Sequence, residues 1–437
     1  MKKRMCKIMA LAMTAAMVVP MAAQTTAFAA DDKEITYWNI AVESPDKDIV
    51  TAAVDKFNKE TKSGYTVNSV AIQNDTYKEK LVIAMSSGEC PDMYSSWSGG
   101  PMYEYIDSGF AQPIDDLLDQ SDIKDKLLDA AIEQGSYNGH VYAIPYLNVS
   151  LAGIFYNKDM FKQYGLEEPK TLADLENICA TLKENGITPF ALANASKWTG
   201  SMYFMSLAAR YGGLEPFQNA VAGTGKFTDD CFIKAGEKIQ EWVKNGYFPD
   251  GVNSLSEDDG QAKQLMYQET AGMLLCGSWY TGTFQTDSEE FYQKIGWFPF
   301  PAIDDSDADP TIQIGTVGDQ FISFNCEGDK LAAAFECATD HLSDEVEDMI
   351  YSTGKIAPVK DAGDHISDPV VKEIFDAAQE ASSIQLWYDQ YLPTSVATAH
   401  LDGLQEVFGL TKTPQEAQEE MQTAMDEYLS LKRALLM

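Results

Sequence analysis

The chain has 437 residues, of which 45% are hydrophobic and 11% aromatic, and a formal charge of -35 at pH 7. Single cores rarely grow beyond about 250 to 300 residues, so this length predicts about two domains. A surface this acidic repels phosphate backbones and anionic lipid headgroups. Charge therefore argues against nucleic acid as a partner and against a role on a membrane surface.

The N-terminus has the three parts of a secretory signal peptide. Four basic residues among the first seven precede an apolar run from Ile8 to Ala23, and Ala27-Phe28-Ala29 has the small-x-small pattern of a cleavage site. We expect residues 1–30 to be removed and the protein to be exported. Removal changes the formal charge from -35 to -39, because the segment carries four basic and no acidic residues.

Strands and helices alternate along the first part of the mature chain. Hydrophobic periodicity predicts strands at 34–40, at 65–72 and from 91, and helices at 45–62 and 75–87. This order predicts an α/β sheet rich in parallel strands. Ligands bind beyond the carboxyl ends of such strands, so the loops at 39–43 and 95–100 should share one rim.

A connector follows this first unit. Asn138-Gly139 is a tight hairpin signal, and Pro145 interrupts the apolar run after it, so that strand must break or lie at a sheet edge. A helix opens at Asn157 and ends near Gly165. We interpret this passage as a hinge, where the chain leaves one lobe and builds the next.

The same alternation restarts beyond the hinge. Thr171 and Asp174 form the capping pattern of a helix that runs to Gly186. Further elements are predicted as a strand at 187–193, helices at 199–212 and 228–246, and an extended segment at 269–276. The runs 298–301 and 317–325 suggest a second crossing between lobes. The chain is nearly all helical from residue 329, and its last helix starts at the Thr413-Pro414 cap signal.

Several tryptophans occur in polar turns rather than among aliphatic residues. Trp38 and Trp387 lie near aromatic or polar neighbours, and three others occupy the segments SSWSGG (Trp97), ASKWTG (Trp198) and CGSWYTG (Trp279). An indole face beside hydroxyl, amide and carboxylate groups suits a sugar, whose ring has a C–H face and an equator of hydroxyls. Asp319 and Asp389 are candidate charged acceptors for those hydroxyls. The pattern predicts a carbohydrate cleft.

Enzyme and metal signatures are scarce. The chain has no G-x-S-x-G elbow and no complete phosphate loop, and its four histidines lack ligand spacing. The calcium-loop-like start at Asp305 fails, because Pro310 replaces the turn glycine and Thr316 stands at the bidentate position. We predict no cofactor and no metal. The six mature cysteines show no C-x-x-C spacing, and their disulfide state stays open. A secreted glycoside hydrolase remains an alternative, since hydrolases also use aromatic subsites and paired carboxylates.

Six segments in order resemble one protein family. They are SSGECPDMYSSW, YNGHVYAIPY, IFYNKDMFKQYGLEEPKTLADL, ETAGMLLCGSW, GKIAPVK and TPQEAQEEMQ. Together they are similar to the family 1 extracellular solute-binding proteins, the sugar receptors of ATP-binding-cassette importers related to maltose-binding protein. The LWYDQYLP segment resembles the subgroup that binds raffinose, melibiose and other short oligosaccharides.

The resemblance implies a non-catalytic receptor with an α/β, two-lobe periplasmic-binding-protein-like fold, an interlobe cleft, three hinge crossings and a helical C-terminus. The lobes would comprise 31–147 plus about 316–358, and 148–315 plus about 359–437. It also implies sugar contacts at a set of side chains on both lobes: Glu43, Trp97, Tyr146, Trp198, Trp279, Trp387, Asp389 and Gln390.

The same resemblance implies partners and a location. The ligand would be a neutral oligosaccharide, and the closed receptor would dock as a monomer on the transmembrane permease subunits of an ABC importer. The protein would work in a periplasm or at the extracellular face of the cell membrane. Its leader carries no lipobox cysteine, because Cys6 lies among the basic residues. A cell-surface carbohydrate-binding protein without a transport role is a further alternative.

Overall fold

The computed structural model describes residues 33–435, so the predicted signal peptide lies outside the described residues. Within that range the strands are β1 (Glu34–Asn39), β2 (Thr66–Ala71), β3 (Met93–Ser96), β4 (Ser136–Tyr137), β5 (His140–Val141), β6 (Ala143–Tyr146), β7 (Val149–Asn157), β8 (Thr188–Phe190), β9 (Ala271–Gly277), β10 (Ile295–Phe298), β11 (Gln313–Val317), β12 (Gln320–Phe324) and β13 (Ile384–Gln385).

The α-helices of the described chain are α1 (Asp46–Glu60), α2 (Asn74–Ser87), α3 (Gly100–Asp107), α4 (Asp115–Asp119), α5 (Ile123–Lys126), α6 (Asp129–Gln134), α7 (Lys158–Tyr164), α8 (Leu172–Glu184), α9 (Trp198–Gly212), α10 (Glu215–Ala222), α11 (Asp230–Lys244), α12 (Gln261–Tyr267), α13 (Tyr280–Asp287), α14 (Glu289–Tyr292), α15 (Gly328–Asp340), α16 (Asp344–Ser352), α17 (Pro369–Glu380), α18 (Tyr388–Tyr391), α19 (Thr394–Phe408) and α20 (Pro414–Leu435). Short 3-10 turns occupy Val252–Ser254 and Ala362–His365.

The first lobe is built on a sheet with the strand order β2-β1-β3-β12-β6. β1 alternates half-buried and buried residues, as its sequence predicts, and it pairs in parallel with both β2 and β3. Because β1 and β3 point the same way, the loops after them open at the same edge, which confirms the predicted rim. α2 is anchored beside this rim by Tyr77, whose hydroxyl donates to the Ser95 carbonyl at 2.6 Å.

The second lobe is built on a mixed sheet around β7, with the order β13-β11-β7-β9-β8 and β10 paired to β7. All nine residues of β7 are buried, and its pairings with β9, β10 and β11 are antiparallel. The second sheet therefore has two parallel pairs, β8 with β9 and β11 with β13, against these three antiparallel ones. The reason is that β7 collects antiparallel partners from distant parts of the chain, which local periodicity does not specify.

The chain crosses between the lobes where the sequence breaks a strand. β6, which contains Pro145, lies at the edge of the first sheet, and only two residues separate its end from the start of β7 in the second sheet. The hairpin at Asn138-Gly139 is confirmed, with positive φ at both residues. A second crossing joins β11 to β12 across residues 318–319. The run from Phe298 to Pro301 was predicted to cross too, but it stays in the second lobe, because β10 pairs with β7 up to Phe298.

The predicted caps and the helical C-terminus are confirmed. Thr171 and Asp174 exchange both bonds of a capping box, and Asn157 accepts from two amides at the start of α7. Thr413 and Glu416 form the same reciprocal pair at the start of α20. α16 packs on α1 of the first lobe and α17 packs on β10 of the second, so a third crossing lies between Ser352 and Pro369 and the chain ends in the second lobe. Among residues 33–435, no helix combines the length and the hydropathy that a membrane span needs.

Candidate ligand-binding site

A cavity of about 260 Å³ lies where the loops of both lobes meet. Its lining includes seven of the nine predicted binding residues, namely Trp97, Trp198, Trp279, Asp319, Trp387, Asp389 and Gln390. These residues come from the loop after β3, the start of α9, the end of β9, the crossing before β12 and the start of α18. The structure thus brings side chains almost 300 positions apart in the sequence into one cavity.

Three indoles of the second lobe pack together as an aromatic wall, in which Trp387 is only 2% exposed. The Trp279 ring lies with its centroid 6.0 Å from that of Trp198 and 6.0 Å from that of Trp387, at interplanar angles of 59° and 68°. Gly277 permits this arrangement, because a Cβ there would stand 2.0 Å from the Trp279 ring. Lys197 adopts a left-handed φ of 64° directly before Trp198, a strained backbone of the kind found at binding sites.

Trp97 faces this wall from the first lobe. Its ring meets Tyr77 of α2 edge-on, with centroids 6.0 Å apart. The Lys78 ammonium lies over the same ring, 5.0 Å from its centroid, and contacts Asp389 Oδ2 at 3.4 Å. Lys78 belongs to α2 of the first lobe and Asp389 to α18 of the second, so this ion pair spans the cleft.

The start of α2 makes a second contact across the cleft. No side chain of its own N-cap residue, Gln73, bonds the first amides of the helix. The Asp258 carboxylate, in the loop before α12 of the second lobe, accepts from the Asp75 amide at 3.1 Å instead. A carboxylate at a helix N-terminus is stabilised by the helix dipole as well as by the hydrogen bond. The cap of this helix is therefore supplied by the opposite lobe.

Three carboxyl groups of the cavity, those of Glu257, Asp258 and Asp319, have no cation within ion-pair distance among the described residues. Burial raises the pKa of Glu257 to about 7, and its Oε1 accepts from the Tyr280 hydroxyl. Burial also raises the pKa of Asp319 to about 6, while Lys355 lowers it in part. Lys355 itself is buried and paired with Asp46. The Glu257 and Asp319 carboxyls therefore pass between acceptor and donor states near neutral pH.

Two predicted binding residues do not line the cavity. Tyr146 is fully buried below it, where its hydroxyl meets those of Tyr37 and Ser95 and donates to Gln320 Oε1 at 2.8 Å. Gln320 does line the cavity, so Tyr146 supports a lining residue rather than contacting a ligand. Glu43 lies on the outer rim, with its side chain 71% exposed and 3.7 Å from Lys263.

Other lining residues were not predicted from the sequence. Ile40 falls inside the rim loop that was predicted, but no local pattern distinguishes Lys78, Asn74, Glu257 and Asp258 from other polar surface residues. Met202 and Met205 extend the wall along α9, as residues on the same face of that helix as Trp198. Their spacing from Trp198, at four and seven positions, is a signal that the sequence did offer.

The described residues hold no group of three or more histidine, cysteine or carboxylate side chains arranged to bind a metal ion. All six cysteines of this part of the chain are free thiols, and five of them are buried. Burial also lowers the pKa of His341 to about 4 and that of His400 to about 3, so both imidazoles are neutral at physiological pH. Neither histidine lines the cavity.

Residues 41–338 match the model of the family described as bacterial extracellular solute-binding protein. This stretch covers more than half of the chain and includes strands from both sheets. The cavity described above is lined in part by residues within it and in part by the α18 region that follows it.

Individual relatives agree with the family match. An uncharacterised ABC transporter extracellular-binding protein of Pyrococcus horikoshii is 29% identical over 65% of this chain and 64% of its own length. The melibiose/raffinose/stachyose-binding protein of Bacillus subtilis is 23% identical over 63% of each chain. The chain thus matches a little under two thirds of the length of these relatives. A solved structure from work on xylan utilization by Caldanaerobius polysaccharolyticus superposes with a TM-score of 0.81 at 29% identity, covering 89% of this chain and 99% of that one.

Proposed function

Because the chain belongs to the bacterial extracellular solute-binding protein family, we propose that it is the substrate-binding component of a carbohydrate ABC importer. It captures a neutral oligosaccharide between its two lobes and closes on it. The lobes comprise residues 31–147 with about 316–358, and 148–315 with about 359–437. The observation that carries this proposal is the wall of Trp198, Trp279 and Trp387, which faces Trp97 across a cavity lined by both lobes.

The charges of the cavity support a neutral sugar over an anionic one. Its lining has five carboxylic acids and a single lysine, which is already paired with Asp389. An anionic ligand would be repelled there, whereas sugar hydroxyls donate well to carboxylates. Micromolar binding needs about 8 kcal/mol, which a few indole contacts and charge-assisted hydrogen bonds supply after ordering costs.

Closure gives the receptor its signal. Only a ligand that contacts both lobes stabilises the closed population, and the importer's permease subunits read that form. The names of the two relatives, one an ABC transporter extracellular-binding protein and one a melibiose/raffinose/stachyose-binding protein, support this assignment. The protein acts as a monomer without catalysis, in a periplasm or at the extracellular face of the membrane.

A thermal-shift screen tests the function directly. Purified protein without its leader is melted with neutral mono- to pentasaccharides, and we expect a saturable rise in Tm for at least one of them. Ligand at a hundred times its Kd stabilises the native state by about 2.7 kcal/mol. The same mixtures are then analysed for new reducing ends after prolonged incubation.

The outcomes separate the candidate functions. A saturable shift with intact sugar supports a non-catalytic sugar receptor, and binding of the sugar-loaded protein to ABC permease subunits then separates the importer component from a cell-surface carbohydrate-binding protein. Release of reducing ends from the oligosaccharides would establish the glycoside hydrolase instead. If no saccharide shifts the Tm, the proposal is wrong and a structural surface protein is the better interpretation.

A further inference from the structure

Contacts between the lobes close the cleft at its Trp97 end. The backbone at Gly99 and Gly100 approaches the backbone of the α18 segment so closely that a Cβ on Gly99 would lie 2.3 Å from the Gln390 carbonyl oxygen. A Cβ on Gly100 would lie 2.2 Å from the Leu392 carbonyl oxygen. Glycine is needed at both positions for this approach. A sugar chain therefore has no passage beyond Trp97 and Gln390.

Lys78 lies next to this closed end. Its ammonium lies over the Trp97 ring and is held on the other side by Asp389 Oδ2. The helix that carries Lys78 is fixed by the neighbouring Tyr77, which contacts both Trp97 and the Ser95 carbonyl. A sugar ring that stacked on this face of Trp97 would have to displace the ammonium from the indole and from the carboxylate together.

The loop of Asp258 also lines the cavity and touches the start of α2, the helix that carries Lys78. The cavity volume is about 260 Å³, just below the range of about 300 to 1,000 Å³ that is typical of pockets for drug-sized ligands. A volume of this size accommodates no more than two sugar rings.

Building on the proposed function, we infer that Lys78 is a specificity-determining residue that limits the ligand to two sugar rings, because it covers the face of Trp97 on which a third ring would stack. Short saccharides use the wall of Trp198, Trp279 and Trp387. Longer ones have no place for their third ring while Lys78 bridges Trp97 and Asp389.

The test compares Lys78→Ser with wild type across a ladder of one to five sugar units of the linkage that the screen identifies. Lys80→Ser is the matched control, since Lys80 lies on the same helix with its side chain exposed. Calorimetry gives Kd for each length, and we expect wild type to gain nothing beyond the disaccharide. The Lys78→Ser variant should bind the trisaccharide at least about tenfold more tightly than wild type does, the effect of one added aromatic stacking contact.

If Lys78→Ser binds every length as wild type does, the inference is overturned. A gain confined to three or more units in Lys78→Ser, with Lys80→Ser unchanged, supports it. Wild-type affinity that already rises from two to four units overturns it, and so does an equal loss at all lengths in Lys78→Ser, which would make Lys78 a direct donor to the ligand. Thermal melting shows whether Lys78→Ser is folded. The variant Lys78→Met keeps an aliphatic side chain over Trp97, so its affinity, like that of wild type, should not increase beyond two sugar units. If no saccharide binds wild type, the proposed function itself fails.

Discussion

The second lobe brings three indoles to the cleft, whereas the first lobe brings one, and that one is partly covered by Lys78. The second-lobe wall is fixed by contacts within its own lobe, because Trp279 packs against both Trp198 and Trp387. The first lobe contributes the helix α2, whose Lys78 and Asp75 reach the other lobe through charge and hydrogen bonding.

This difference indicates a division of labour between the lobes. A preformed apolar wall binds a sugar face without further ordering, so the second lobe should hold most of the ligand's free energy of binding. Polar contacts from α2 form only when the lobes meet, so the first lobe should govern closure. Substitutions in the two lobes therefore ought to differ in size and in kind.

The largest effect is expected for Trp279→Ala. This removes the central indole of the wall and exposes the flanking rings, so sugar affinity should fall about a hundredfold or more. Tyr137→Ala is the matched aromatic control, since Tyr137 stacks on Tyr103 at 4.4 Å outside the cavity. Calorimetric titration checks both variants. Equal losses of affinity in the two variants would show that removal of any aromatic ring weakens sugar binding indirectly. The wall would then not be the binding surface.

The next effect concerns stability in the second lobe. The pKa of Glu257 is raised to about 7 in the folded protein, against about 4.3 when unfolded. The protonated carboxyl therefore contributes fully to the free energy of unfolding below about pH 4.3, and this contribution is lost as pH rises through 7. Glu257→Gln keeps an acceptor for the Tyr280 hydroxyl and removes the charge. The ligand-free variant should be more stable than wild type by about 1 to 3 kcal/mol at pH 8 and equal to it at pH 4.

Urea unfolding at the two pH values measures this difference, with the exposed Asp259→Asn as the charge-matched control. Asp319 has a raised pKa of about 6, so Asp319→Asn should show the same sign with its transition nearer pH 6. If Glu257→Gln were less stable than wild type at pH 8, the ionised Glu257 carboxylate would not destabilise the folded protein, and the prediction would be wrong.

Whether a structural feature could be predicted from the sequence depends on how far apart along the chain its interacting residues lie. The caps at Thr171 and Thr413, the hairpin at Asn138-Gly139 and the edge position of Pro145 are confirmed, since each is set by residues a few positions apart. The tryptophans could be recognised from their polar turns, but not the geometry that makes three of them one wall.

Long-range contacts account for what was missed. Lys78 meets Asp389 across 311 positions, and the Asp75 amide meets Asp258 across 183 positions. Neither pair has a local pattern, because each exists only when the two lobes come together. Tyr146 shows the converse error: its motif predicted a contact with the ligand, yet the edge strand β6 turns it inward to hold Gln320.

A smaller loss is expected for Trp97→Ala in the first lobe. One edge of this ring is packed against Tyr77 and one face lies under Lys78, which leaves less surface for a sugar than at Trp279. Affinity for a disaccharide should fall about tenfold or less. Titration of Trp97→Ala beside Trp279→Ala tests the comparison between the lobes. A hundredfold loss of affinity in Trp97→Ala would show that both lobes contribute equally to the free energy of sugar binding.

The smallest effect should come from Glu43→Gln, at the outer rim. Glu43 and Lys263 form an ion pair across the lobes, but at 3.7 Å and with 71% of the Glu43 side chain exposed, the pair is largely screened by water. Such exposed pairs contribute about 0 to 1 kcal/mol, so sugar affinity should stay within about threefold of wild type and should respond little to salt. Calorimetry at low and high ionic strength measures both quantities. A tenfold loss that disappeared in high salt would mean that closure depends on charge at the rim, and α2 would then share control of closure with the loop of Glu43.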